Sequence, residues 1–409
     1  MPLKSTNWFG IWVCFSAGLV AAMTMNKASP AALDIASDLQ LSLFQVGWVV
    51  SMVAVATILL GVASGHLVRR YGALQVLITG VVILLFTPLL GFFASEPQLL
   101  LFDRALEGIG VILIMVAAPA TIINLTIPRD IGLSMGVWAL WMPCGGSLIF
   151  LLAPWLLSMG GWRILWLSTT AVAALILPLL LYLWFHLRRR HANDSPLKQS
   201  SSEAVSGKRR DAVDLSINPR GAVLLAVIFA CFTADFFGIV TYLPTYLHTV
   251  NGLSRANASL LTALLPAVLI VGNLVSGVLV HRGLRPSLVM TTASILISLS
   301  LGVTVLAGEG ALALILLAVF GFFTGVVPTA MFAQAPRFAS APPAVGMVIG
   351  IAVTGQGMGI LLAPPLIAYL IGPEHNWMKA MPLLLVLPLI VSGLSLYLPR
   401  FEEKALVEH

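Results

Sequence analysis

The sequence predicts an all-α integral membrane protein with twelve transmembrane helices in two pseudo-symmetric six-helix bundles. Three observations carry that prediction. Of 409 residues, 59% are hydrophobic and 9% charged, with a mean hydropathy of +1.00, whereas a soluble domain carries roughly 25% charged residues. Apolar runs of about 20 residues, enough to cross a hydrocarbon core, recur twelve times along the chain. Segments of the first half also return in the second, 210 residues on. Gly136, Gly145 and Leu151-Leu152-Ala153-Pro154 reappear as Gly346, Gly355 and Leu361-Leu362-Ala363-Pro364.

The runs cover about 7–28, 43–65, 73–94, 99–125, 131–157 and 163–186 in the first half. Those of the second cover about 221–247, 257–280, 286–306, 311–335, 344–371 and 378–398. Lipid offers no water to an exposed peptide group, so each run is read as a helix. The first is too long for a cleaved signal peptide, and no small-residue cleavage site leads from it into a soluble domain. Two further echoes support the duplication. Gly65-His66-Leu67-Val68-Arg69-Arg70 matches Gly277-Val278-Leu279-Val280-His281-Arg282, and Pro119, Pro128 and Arg129 match Pro328, Pro336 and Arg337.

Twelve crossings put both termini on one side. Placing that side in the cytoplasm puts 17 of the 22 Lys and Arg residues there and leaves Lys27, Arg104, Arg163, Arg255 and Lys379 elsewhere. The excess of positive charge predicts N-in and C-in, in a bacterial inner membrane. The domains expected are a bundle over 1–187, a basic cytoplasmic linker over 188–219, a bundle over 220–400 and a tail over 401–409. The linker runs from Arg188-Arg189-Arg190 to Lys208-Arg209-Arg210 and is read as a flexible segment held near anionic headgroups. The formal charge of +6 is thus a membrane-orienting charge, and no nucleic-acid partner is expected.

No soluble-enzyme chemistry is legible, so the chain is expected not to be an enzyme. There is no phosphate loop, no His-x-x-x-His pair and no nucleophile elbow. Cys14, Cys144 and Cys231 lack paired spacing and read as buried thiols. No cofactor and no metal site is expected.

Several motifs make the chain similar to the major facilitator superfamily over nearly its whole length. Gly65-His66-Leu67-Val68-Arg69-Arg70-Tyr71-Gly72 resembles the signature of the loop after the second span. The aspartate of that signature is Arg69 here and its later basic pair is Ala73 and Leu74, so the aspartate's gating role does not carry over. Arg104-Ala105-Leu106-Glu107-Gly108-Ile109-Gly110 resembles the Arg-x-x-x-Gly-x-Gly pattern of the fourth span, and Gly161-Trp162-Arg163 the start of the sixth. Asn26, Pro30 and Gln45-x-x-Trp48 look like those of drug/proton antiporters. Pro143-Cys144-Gly145-Gly146 is a partial antiporter pattern, with Met142 where its first glycine falls. Tyr242-Leu243-Pro244-Thr245-Tyr246-Leu247 with Gly252-Leu253-Ser254 looks like the cyanate and nitroimidazole-type branch. The resemblance implies a fold whose substrate path runs between the halves.

An ionisable side chain in hydrocarbon costs about 2.5–3.5 kcal/mol at mid-membrane and needs a reason. Asp235, near the middle of the seventh span, is the first candidate, as a proton-coupling or substrate-binding group; the alternative is a carboxylate hydrogen-bonded between helices. Arg104 and Glu107 lie three apart on one helical face, close enough to pair. They read either as a proton relay and anion anchor or as an internal ion pair fixing the bundle. Asp103 is expected closer to water.

Among uncharged polar residues, Asn124, Asn273 and Gln334 read as interhelical hydrogen bonders, and Asn26 and Gln356 as cavity-lining candidates. Trp141, with Trp138, reads as packing or as a stacking surface for a planar solute. Gly65, Arg69, Arg70 and Gly72, with Pro143, Gly145, Gly146 and Gly355, are the candidate gating elements, where small residues permit close approach and proline permits bending.

The function expected is secondary active transport of a small organic solute by alternating access. It is expected to be proton-coupled, with export slightly favoured, in a monomer whose partners are the solute, protons and the bilayer. Import of a small anion or metabolite and a non-transporting sensor on the same fold are the alternatives.

Overall fold

The computed structural model describes residues 5–194, 216–307, 311–340 and 342–402. Most of the expected linker, including Lys198, Lys208, Arg209 and Arg210, and the tail beyond Glu402 lie outside the described residues. Fourteen helices are present among the described residues. In the first half they are α1 Trp8–Asn26, α2 Ala32–Asp38, α3 Leu43–Ser51, α4 Val55–Tyr71, α5 Ala73–Phe92, α6 Pro97–Asn124, α7 Ile131–Ala139 and α8 Trp141–Asp194. In the second they are α9 Pro219–Thr249, α10 Arg255–His281, α11 Pro286–Ala307, α12 Ala311–Gln334, α13 Pro342–Ile371 and α14 Met381–Tyr397.

Among the described residues, eleven stretches are long and apolar enough to span a membrane. One of them, Pro128–Arg189, is 62 residues long and doubles back within α8. There Gly160 is extended and Gly161 takes φ +69°, a conformation open to glycine and strained for other residues. Counting its two arms separately gives the twelve crossings that the sequence predicts. The second span is a composite of α3, a short 3₁₀ turn at Met52–Ala54, and α4. A capping box at Ser42 and Gln45 starts it.

The motif Gly65–Gly72 is not a loop, contrary to its expected position. α4 stays helical through Tyr71, and the chain turns only at Gly72, at φ +92°. Arg69 and Arg70 occupy its last turn, where a positive charge opposes the helix dipole favourably.

The two halves repeat at atomic detail. Asn7 caps α1 and its N–H donates to the Leu125 carbonyl beyond α6 (2.9 Å). Asn218 caps α9 and its N–H donates to the Phe338 carbonyl beyond α12 (2.9 Å). Three residues into each repeat, Gly10 packs on Leu125 and Gly221 on the Phe338 ring. The matched Pro128-Arg129 and Pro336-Arg337 both sit in 3₁₀ turns after α6 and α12. Each half thus pins the start of its first helix to the end of its fourth.

Glycine sets the closest helix crossings. A side chain at Gly108 would lie 2.2 Å from the Val53 carbonyl oxygen, at Gly325 2.1 Å from that of Leu269, and at Gly355 2.0 Å from that of Ala226. Backbones can approach so closely only where no Cβ intervenes.

Candidate functional site

Four ionisable side chains meet inside the first bundle, and none of them is exposed. Lys27, just past α1, and Arg104, on α6, each form an ion pair with one oxygen of Glu107. Every guanidinium nitrogen of Arg104 is occupied by protein acceptors. Nε donates to Val49 O (3.0 Å), Nη1 to Thr24 O (2.8 Å) as well as to Glu107, and Nη2 to Met25 O and Val50 O (both 3.4 Å). Lys27 Nζ also reaches Thr169 Oγ1 (3.3 Å) and lies 4.4 Å from the centroid of the Trp166 ring. Trp166 Nε1 in turn donates to Asp103 Oδ2 (2.9 Å), while Asp103 Oδ1 has no partner among the described residues.

Asp103 is 0% exposed, which corrects the expectation that it lies closer to water. Trp166, from the second arm of α8, and Gly91 of α5 close over its carboxylate. Sequence reasoning missed Lys27, Asp103 and Trp166 as members of one cluster. Lys27 did carry a signal, as a cation outside the cytoplasmic group at the end of an apolar span. Trp166 carried none, because tryptophan is common at membrane interfaces. Two cations and two carboxylates balance in charge, which is how such groups are tolerated away from water.

Asp235 stands apart from that cluster. It is sixteen residues beyond the start of the 31-residue α9, about 24 Å along the helix at 1.5 Å per residue. It is 3% exposed, and its Oδ1 has no hydrogen-bond partner among the described residues. One turn before it, Phe232 packs against Phe229, whose ring meets Phe332 of α12 edge-on at 5.7 Å. Phe332 is 42% exposed, so this aromatic group opens to a surface.

The other candidates fall in several places. Asn26 donates to Ala22 O (2.9 Å) within its own helix, and its amide lies near Gly146. Gln356 is half-buried on α13, and its backbone carbonyl accepts from Thr233 Oγ1 (3.1 Å). Trp141 stacks on Trp138 at 5.3 Å and 15°, and both rest on Gly18, so its face is already occupied. Asn273 accepts from Thr329 (3.0 Å), and Gln334 donates to Glu402 (2.8 Å). Asn124 is exposed at the end of α6. Gly145 packs on Leu19 and Ala22 of α1, whereas Gly65, Gly136, Gly277 and Gly346 have no neighbouring atom within 4 Å of a would-be side chain. Arg69 contacts His66 (3.2 Å), and Arg70 lies over Tyr71. Pro143 lies in the first turn of α8, one helical turn before Ser147.

Hydrogen bonds between the halves cluster at the end away from the termini. The single Ser29 hydroxyl lies within hydrogen-bonding reach of both Val240 O (2.9 Å) and Thr241 O (2.7 Å), and Arg255 pairs with Asp34. Tyr242 Oη reaches Pro364 O (2.8 Å) and, across the halves, Leu43 O (3.4 Å). Ser259 donates to Phe150 O (2.8 Å) and Ser147 to Ala263 O (3.2 Å). Gly47 fits against Tyr242, Pro364 and Pro365. Beside this closure Asp38 accepts from Trp162 Nε1 and Arg163, and those contacts, the indole hydrogen bond foremost, hold its carboxyl below the usual range.

Twelve crossings in two matched bundles, with ionisable groups between apolar walls, define a polytopic membrane carrier. The chain belongs to the major facilitator superfamily, whose model matches residues 14–364; members of that superfamily are transporters. It is 25% identical over 407 residues to the 3-(3-hydroxy-phenyl)propionate transporter of Escherichia coli (strain K12), covering 95% of this chain and 93% of that protein. Among solved structures it is similar to a D-xylose–proton symporter (TM-score 0.73, 17% identity, 98% of this chain and 99% of that one). A bacterial homologue of the human lysosomal transporter Spinster, inward-facing and occupied, matches with a TM-score of 0.72, 14% identity and 98% of each chain. At these identities the structural likeness shows the shared fold.

Proposed function

We propose that this protein moves a small aromatic organic solute across a bacterial inner membrane by alternating access, coupled to protons, with both termini in the cytoplasm. The moving bodies are the bundles over 1–187 and 220–400, joined by the segment 188–219. Asp235 carries this reading. It is a carboxyl at the middle of a spanning helix with no partner for Oδ1 among the described residues, the state expected of a group that takes up and releases a proton. The phenylalanines beside it suit a planar solute, and the 25%-identical relative is named for an aromatic carboxylate. Arg104 serves to fix the first bundle, because its nitrogens are already committed to protein acceptors.

Reconstituted vesicles with an imposed pH gradient test the proposal. 3-(3-Hydroxyphenyl)propionate and its uncharged amide serve as probes. The wild type is expected to accumulate a probe only with a proton gradient, and Asp235→Asn to lose that dependence. Unchanged gradient-driven transport in Asp235→Asn overturns the role of Asp235. Absence of transport of any aromatic probe overturns the solute class. A second reading, export by proton antiport, is favoured by Pro143-Cys144-Gly145-Gly146 on α8. The sign of the gradient that drives accumulation in vesicles of known orientation separates the two.

A further inference from the structure

We propose that a groove at the start of α9 binds one acyl chain and the headgroup of an anionic phospholipid. The groove has a volume of about 510 Å³ and is walled by Pro219, Arg220, Val223, Leu224, Val227 and Phe401. Val223 and Val227 are one helical turn apart and exposed, so they offer an apolar strip running into the membrane from the end that carries the termini. Arg220 lines the groove, and Arg400 directly precedes its lining residue Phe401 in the chain; both arginines are exposed. Neither forms an ion pair among the described residues; Arg400 lies over the Tyr397 ring at 4.5 Å.

Charge complementarity selects the occupant. Guanidinium binds phosphate oxygens in pairs, and basic residues at a membrane surface favour anionic lipids. A zwitterionic lipid brings a cation as well, and the neighbouring carboxylate is already committed. Glu402 accepts from Arg337 (2.8 Å) and from Gln334 (2.8 Å). The groove also adjoins the pin of the second repeat. Asn218 Nδ2 donates to Phe401 O (2.8 Å), while Asn218 Oδ1 accepts the Arg220 and Gly221 N–H groups. A lipid seated there braces Phe401 against α9, so binding stabilises the second bundle.

The experiment compares thermal unfolding of the purified full chain in neutral detergent with added phosphatidylglycerol or phosphatidylcholine. Native mass spectrometry of lipid retention from an equal mixture accompanies it. Phosphatidylglycerol is expected to raise the unfolding temperature more and to be retained preferentially. Arg220→Gln/Arg400→Gln is expected to lose the preference by on the order of fivefold per arginine, the effect of one basic residue at an anionic surface. The basic residues of 188–219 are unchanged in that variant and so cannot account for the difference. Should it fail to fold, Val227→Trp, which fills the groove and keeps both arginines, is expected to lose the retained lipid. Equal effects of the two lipids on the wild type, or a preference that survives in whichever variant folds, overturns the proposal.

Discussion

Glu107 is the residue on which the buried charges of the first bundle depend, because each of its oxygens serves a different cation. Replacing it with glutamine leaves Lys27 and Arg104 facing each other without water. Breaking such a pair from one side costs about 3–5 kcal/mol. Lys27→Met keeps the Arg104–Glu107 pair and is expected to cost less. The double variant restores charge balance with Asp103 and is expected to recover part of the Glu107→Gln loss, so the effects are non-additive. Unfolding of the four proteins in detergent measures this, and strictly additive losses would show that the cluster is not one unit. The pairing of Arg104 with Glu107 was legible from their three-residue spacing. The approach of Lys27, 80 residues away in the chain, was not, because it depends on how α1 packs against α6.

Between helices, the crossings set by glycine decide which spans are neighbours. Gly355 of α13 sits against the Ala226 carbonyl of α9, and the obstacle to a larger residue there is backbone, which cannot rotate away. Gly355→Leu is expected to destabilise the second bundle by at least the 1–3 kcal/mol typical of overpacking. Gly346→Leu, on the same helix with open space around it, is expected to leave folding unchanged. Both unfolding temperatures can be compared directly, and equal losses would count against the close crossing. Gly346 and Gly355 look alike in the sequence, since both belong to the repeat. Only the packing distinguishes the glycine that touches backbone from the one that does not.

Across the whole molecule, the halves are held together at the end away from the termini. An alternating carrier must part Ser29 from Val240 and Thr241, and Arg255 from Asp34, in every cycle. Asp34→Cys/Arg255→Cys is therefore expected to be joined by a reducible bis-thiosulfonate cross-linker that spans the arginine's reach, stopping transport in vesicles, with reduction restoring it. Each single cysteine variant is expected to be insensitive to the cross-linker. Full transport by the cross-linked protein would show that this contact does not open.

The sequence by itself determined the family, the twelve crossings and the duplication. Each follows from local quantities: run length against bilayer thickness, backbone satisfaction in lipid, and motifs repeated at fixed spacing. It also singled out Asp235, because a lone carboxyl in a long apolar run is visible without knowing its neighbours. The tertiary structure alone decided which polar groups are already satisfied. Arg104 and Trp141 look available in the sequence and are committed in the fold, whereas Asp235 is left without a partner for Oδ1 among the described residues. The physical reason is that hydrogen bonding and burial are pairwise properties, fixed by helices that lie far apart in the chain and side by side in the membrane.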